Sequence, residues 1–335
     1  MAAMRVLVIS AVIAITACSP QTGGQSPGTA SLTSTACSLP VWWGGKGSDV
    51  HAGFVSVPDG TVKDAGVLPY TNPTQAGTLG GGYGGAYDPV KGIWIRTARP
   101  AVSPDGSRYA YWTAGPSHGE IHVVDVATGV DHIAYSGTIP FILVGFESDA
   151  IYLAHIVNAR QGAFELLYRL DPSGGSPLLV PGSDRHMNQW GWVLVADGAA
   201  WGIDDRPSGS DFIYSVVRLD LATAQVTEWI ESPAPLWPEG IDGSHRLYAA
   251  VYGGQLWRVD DPGHAVQLPS DTGELFSEAL GGPSSFAADP HGVWFGGQGA
   301  VWLHPDAQAP PRRFAVGPAT EDIYPAGTCL GGSRS

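Results

Sequence analysis

The chain has 335 residues, 44% of them hydrophobic and 10% aromatic, enough apolar material for one large core or two ordinary ones, which excludes disorder throughout. Its formal net charge is −14, with three lysines against fourteen arginines. A polyanion such as nucleic acid would be repelled rather than attracted.

In chain order the first element is MAAMRVLVISAVIAITACSP, one positive charge at Arg5 followed by an uncharged run from Val6 to Ala17. That run is shorter than the roughly 20 residues a bilayer-spanning helix needs, and suits the apolar core of an export signal. It ends in Ile15-Thr16-Ala17-Cys18, which resembles the lipobox of bacterial lipoproteins. The resemblance implies that residues 1–17 are a signal peptide and that Cys18 becomes the lipidated first residue. It also places the protein in the bacterial cell envelope, facing outside the cytoplasm. An ordinary cleaved signal, or a short anchor with a chance cysteine, is the alternative.

Residues 18–36 are rich in Ser, Thr, Gly and Pro and lack charge and periodicity, which predicts a disordered spacer between lipid and domain. The domain is expected over residues 37–330. Its two cysteines, Cys37 and Cys329, stand at its two margins. In an exported protein, where disulfides persist, they are expected to pair across the closure of a ring-shaped fold.

From residue 99 onward a pattern repeats. AVSPDGSRYAYW (101–112) places a Pro-Asp-Gly corner between two apolar runs, and the same corner recurs in FILVGFESDAIYLAH, GWVLVADGAAWGID, EGIDGSHRLYAAVY and SSFAADPHGVWFGG. Each copy ends near a small residue (Ala114, Ala154, Gly202, Ala249, Gly296), suited to a crowded place near an axis. A second hairpin follows each copy, from EIHVVDVATGVDHIAY to GAVWLHPDAQAPPRRFAV, alternating at period two and mostly turning at Thr-Gly, Ser-Gly-Gly or Pro-Gly. Units therefore start near residues 99, 141, 190, 239 and 285. Their spacing is the blade length of a β-propeller, with a β-sandwich as the alternative. AVSPDGSRYAYW together with HVVDVATG resembles the WD-repeat-like blades of the TolB-type propeller family, over residues 99–317. The expected fold is all-β, a six-bladed β-propeller, with seven blades as the alternative. GFVSVPDGTVKDAG, GGAYDPVKGIWIRT and the C-terminal EDIYPAGTC are expected to form one closing blade from both chain ends, which removes a sheet edge. Trp112, Trp201, Trp257, Trp294 and Trp302 are expected to pack blade against blade.

Two corners of each unit are short and share one rim. The other connections, 113–120, 155–164, 181–190, 203–212, 231–240 and 269–285, are long and gather on the opposite rim, where loops carry function on a rigid scaffold. This rim collects His155, Asn158, Arg160, Asp184, His186, Asn188, Trp190, Asp204, Asp205, Arg206, Trp237 and Glu239 as candidate binding residues.

Other motifs carry less chemistry. Residues 115–119 match G-x-S-x-G, but a strand rather than a helix follows. Gly80, Gly82 and Gly85 fit G-x-G-x-x-G without a helix to hold a phosphate. His118, His122 and His132 read as surface residues of one hairpin. The acid pairs Asp204-Asp205 and Asp260-Asp261 invite Ca2+, which needs six or more oxygens.

The leading expectation is a lipid-tethered, non-catalytic module without cofactor, presenting its long-loop rim to an envelope protein, peptide or glycan. The rival is an enzyme, because PEGIDGSHRLYAAVYGGQLWRV resembles a blade of the lactonase and streptogramin-lyase propellers, whose acidic, Asn or His residues surround a divalent cation at the channel. Here Glu239 stands where that motif usually has Asp, and the other metal ligands have no match. Carbohydrate recognition through Trp190 and Trp237 is a third reading.

Overall fold

The computed structural model describes residues 36–44, 49–68, 84–114, 118–138, 141–147, 149–158, 163–184, 187, 191–209, 211–251, 255–268, 286–297, 299–305, 312–317 and 322–331. The expected signal peptide, the expected lipidation site Cys18 and the expected spacer up to residue 35 lie outside them.

Among the described residues the chain is almost wholly β-strand, with one 3-10 turn at Arg99–Ala101. The repeated corners become repeated sheets. Blade II pairs β6 (Arg108–Ala114), β7 (Gly119–Asp125) and β8 (Asp131–Gly137), with Val102 bridging to Tyr109 as the stub of its inner strand. Blade III runs β9 (Phe141–Glu147), β10 (Ala150–Asn158), β11 (Ala163–Leu170) and β12 (Leu178–Leu179). Blade IV runs β13 (Gly191–Ala196), β14 (Ala199–Ser208), β15 (Asp211–Asp220) and β16 (Val226–Ser232). Blade V is β17 (Leu236–Ile241), β18 (Leu247–Val251), β19 (Gln255–Asp261) and β20 (His264–Gln267). Blade VI is β21 (Phe286–Asp289), β22 (Gly292–Gly297), β23 (Ala300–His304) and β24 (Arg312–Val316). Each is an antiparallel meander.

Blade I closes the ring with both ends of the chain. β25 (Ile323–Pro325) is its inner strand, pairing with β1 (Cys37–Trp43), which continues to β2 (His51–Val57) and β3 (Val62–Val67). β26 (Leu330–Gly331) pairs with the start of β1, and Cys37 and Cys329 form the expected disulfide beside it. The fold is thus a six-bladed β-propeller.

One expectation changes. GGAYDPVKGIWIRT does not join the closing blade; it makes a separate hairpin of β4 (Ala86–Asp88) and β5 (Ile93–Ile95), wedged between blades I and II. The hairpin is legible locally, but blade I has no free inner position for it because β25 already fills that place.

Apolar residues gather between the sheets, one cluster at each junction. Leu39, Val41 and Trp43 of blade I meet Trp294, Val301 and Leu303 of blade VI. Trp201 and Val216 of blade IV meet Leu236, Leu247 and Val259 of blade V. The wedge has a cluster on each side, with Trp42 and Ala52 on one and Tyr109 and Tyr111 on the other. The tryptophans thus pack blade against blade as expected, with Trp112, Trp257 and Trp302 joining their clusters while partly buried. The small residues stand where neighbouring groups approach closely. Ala154, Gly202, Ala249 and Gly296 lie on second strands, and a Cβ at Gly296 would stand 2.4 Å from the carbonyl oxygen of Ile323 in blade I.

Candidate functional site

The rim of long connections is shorter in loops than its composition implies. The segment 203–212 contains no long loop: β14 and β15 run ten residues each in unbroken register to Ser208 opposite Asp211. Asp, Arg, Pro, Ser and Gly in DDRPSGSD read as a loop, yet Gly209 at φ 66° turns the chain and the flanking residues pair. The inner strand β13 pairs only as far as Ile203 and the outer strand β16 only as far as Tyr214, opposite Asp205, so the ribbon from Arg206 to Ile213 extends past the other strands of the blade as an arm. Likewise β10 extends to Asn158, and β17 begins at Leu236.

The expected rim residues described in blades IV and V stand on strands of these two neighbouring blades, and β17 contacts β14 and β15. Asp204, Asp205 and Arg206 stand on β14; Trp237 and Glu239 stand on the inner strand of blade V. Asp205 and Glu239 are buried at 2% and 1% exposure, whereas Arg206 is exposed and ion-paired to Glu228 and Glu231 of β16. His155 is half-buried with its ring edge-on to Phe141 and Tyr168, which makes it a packing residue. Asn158 lies on β10 with its side chain outside the described set; Asp184 is exposed in a turn. Arg160, His186, Asn188 and Trp190 lie outside the described residues. Adjacent residues of a strand in unbroken register point to opposite faces, so Asp204-Asp205 does not present both carboxylates to one ion, while Asp260 is ion-paired to Arg258 and Asp261 to His264.

The opposite rim, made of tight corners, holds two cavities that the loop-length argument passed over. One, about 250 Å³, opens on the channel and is lined by residues of five blades, among them Arg99, Glu147, Asp197, Glu239 and Phe286. The other, about 570 Å³, lies between blades V and VI and the C-terminal segment, with Arg246, Tyr248, Asp289, His304 and Cys329 in its wall. Corner residues give no length signal, and their convergence arises only when the ring closes.

Three acidic groups of this rim, Glu147, Asp197 and Asp289, join blades. Both oxygens of Glu147 accept the Gly198 N–H, at 3.0 and 3.1 Å, tying blade III to blade IV. Asp197 pairs with His245 of blade V. Asp289 accepts N–H bonds from His291, from the Trp294 indole and from Cys329, at 2.7 to 2.8 Å, which binds blade VI to blade I beside the disulfide. Asp242 holds the Arg246 guanidinium at 2.7 Å. Burial, and then the Asp242 charge, push the Tyr248 hydroxyl up to about 12, so it stays a neutral donor. Cys37, His291 and Cys329 cluster closely, but the two sulfurs are joined in the disulfide and the group is not a metal site while that bond stands.

No protein-family model matches the chain. No curated protein matches it either. Among solved structures it is similar to TolB from Acinetobacter baumannii at 16% identity, covering 72% of this chain and 65% of that one, with TM-score 0.37. A TolB-like protein from Agrobacterium tumefaciens aligns at 11% identity over 89% and 99%, TM-score 0.45. A lactonase-like protein from Bacteroides fragilis, described as a 6-phosphogluconolactonase, aligns at 11% identity over 91% and 100%, TM-score 0.45. The strand pairing by itself makes the fold a propeller, and a fold does not fix a ligand or a reaction.

Proposed function

We propose that the protein is a lipid-anchored, extracytoplasmic propeller that acts as a non-catalytic binding module through its rim of long connections. The observation that carries this reading is the β14–β15 arm. Three residue pairs, from Arg206 opposite Ile213 to Ser208 opposite Asp211, extend beyond the last residues paired by β13 and β16, a reach of about 10 Å at roughly 3.4 Å per residue. The arm bears an exposed aromatic, Phe212 at 41%, on one face with Tyr214, and Arg206 on the other face, residue types that anchor interfaces. An envelope protein, a peptide or a glycan fits such a surface.

The test is recovery of partners from detergent-solubilised envelope by full-length protein and by the Phe212→Ala/Arg206→Ala double variant. Loss of a specific partner with the variant supports the reading, and equal recovery by both contradicts it.

One observation favours the enzyme reading: Glu239 is buried on an inner strand at the channel wall, with Glu147 and Asp197 lining the same cavity. Against it, Glu147 and Asp197 are already bonded to the neighbouring blades' corners. Lactone hydrolysis by the wild type that disappears in Glu239→Gln would decide for the enzyme.

A further inference from the structure

The outer half of blade II carries a polar cluster that the cohesion of the ring does not use. His118, Glu120 and His122 occupy alternate positions leading into and along β7, so their side chains leave one face of the sheet. On that face Tyr109, Tyr111 and Val124 pack against Ala86 and Ile95 of the wedge. A four-stranded neighbour would cover such a face to its outer edge. The wedge has two described strands and covers its inner part, leaving the His118 side chain 50% and the Glu120 side chain 29% exposed, while that of His122 retains 8%.

His122 is held from three sides. Its ring stacks on Tyr111 with centroids 4.6 Å apart; its Nδ1 lies 3.1 Å from Asp131 Oδ1, and its Nε2 lies 3.3 Å from Glu120 Oε2. The Tyr111 hydroxyl donates to the other Asp131 oxygen, which fixes that carboxylate. Glu120 Oε1 lies 3.7 Å from His118 Nε2, which also meets the Ser136 hydroxyl at 2.6 Å.

A neutral imidazole has one N–H. Given to Asp131, it leaves the Nε2 lone pair facing a carboxylate oxygen, an opposition that a cation between them removes. A carboxylate behind a histidine is also the usual device for setting the tautomer of a metal ligand. Two imidazoles and a carboxylate form a donor set for borderline divalent transition metals, and bonds of about 2.0–2.1 Å in a tetrahedral site set donor atoms about 3.3 Å apart. Glu120 and His122 already have that separation. His118, half in solvent, stands 3.7 Å from Glu120 Oε1 and bonds to Ser136; one donor atom from each of the three residues does not yet lie within 4.8 Å of the others, so His118 has to leave Ser136 and swing toward His122 on binding.

We propose that His118, Glu120 and His122 form a binding site for a divalent transition-metal ion of the zinc class, with Asp131 orienting His122 from behind. Three protein donors leave the remaining position to water. The competing explanation is a proton: an imidazolium at His122 satisfies both carboxylates without a metal.

Untagged full-length protein in detergent, with its disulfide intact, is titrated with zinc chloride by calorimetry near pH 7.5 and melted with and without zinc. One zinc per chain and a raised melting temperature are expected. His122 packs against Tyr111 and its removal can unfold the blade, so the half-exposed His118→Ala and the conservative Glu120→Gln carry the test. Each is expected to weaken zinc by at least about tenfold, and Asp131→Asn by about 10- to 100-fold. His264→Ala, on an exposed corner of blade V, is expected to bind as wild type does. Cobalt in place of zinc is expected to give the visible bands of a tetrahedral site, lost in His118→Ala. Absence of saturable zinc binding, or equal binding by wild type, His118→Ala and Glu120→Gln, overturns the proposal in favour of the proton, and an unchanged Asp131→Asn overturns the orienting role.

Discussion

At the scale of single residues, the acids that recur in the corners are turn-forming groups. Asp125, Asp171 and Asp220 each accept a backbone N–H and a hydroxyl from a Ser or Thr two or three residues on, at 2.7 to 2.9 Å. These bonds hold all three carboxyls below their ordinary value. Asp105 is held down to about 2, by the Ser107 N–H first and then by the Ser103 and Ser107 hydroxyls. A group whose folded pKa lies below its unfolded one stabilises the protein above the unfolded value and ceases to do so as pH falls through the folded one. The melting temperature is therefore expected to fall as pH drops from about 4 towards 2, and scanning calorimetry across that range should show a shallower fall in Asp105→Asn. A melting temperature equally steep in wild type and variant would remove Asp105 from this account. The same chemistry gives part of the chain's acidity a structural role, because these four carboxylates close corners.

At the scale of elements, two hairpins depart from the repeated plan. Beyond Asp205 and Tyr214 the arm pairs only with itself, so shortening it to a tight turn that joins those two residues is expected to change the melting temperature little while abolishing partner recovery. A large loss of stability would mean that the arm belongs to the core. The wedge does the opposite, carrying apolar clusters on both faces and tied to blade II by Lys91 Nζ donating to the Gly106 carbonyl at 2.8 Å. Between full blades the tolerance is small. A Cβ at Gly240 would meet the Phe286 ring at 2.2 Å, so Gly240→Ala is expected to cost about 1–3 kcal/mol in urea unfolding.

At the scale of the whole molecule, the ring is held shut by one sheet made of both chain ends and by one covalent bond, Cys37 to Cys329, across 292 positions of sequence. Chain-entropy reasoning gives such a closure about 5 kcal/mol at most. Cys37→Ser/Cys329→Ser is expected to melt earlier and to lose amide-exchange protection first in β25 and β26. Uniform loss of protection around the ring would show that closure depends on packing alone.

Much of the fold is present in the residues taken in order. Period-two alternation encodes strands, Asp and Gly corners encode turns, and their common spacing encodes blades, because each of these is settled by neighbours a few positions apart. The pairing of Cys37 with Cys329 is legible as well, since a ring brings its ends together. The candidate site is less so. Composition marked 203–212 as a loop, whereas pairing Asp204 with Ser215 and Arg206 with Ile213 makes it an arm. His118 and His122 read as surface residues until the two-stranded wedge buries one and leaves the other open. Which hairpin fills which place in the ring, and which side chains then face one another, depends on contacts between residues far apart in sequence. Only the packed tertiary structure decides those.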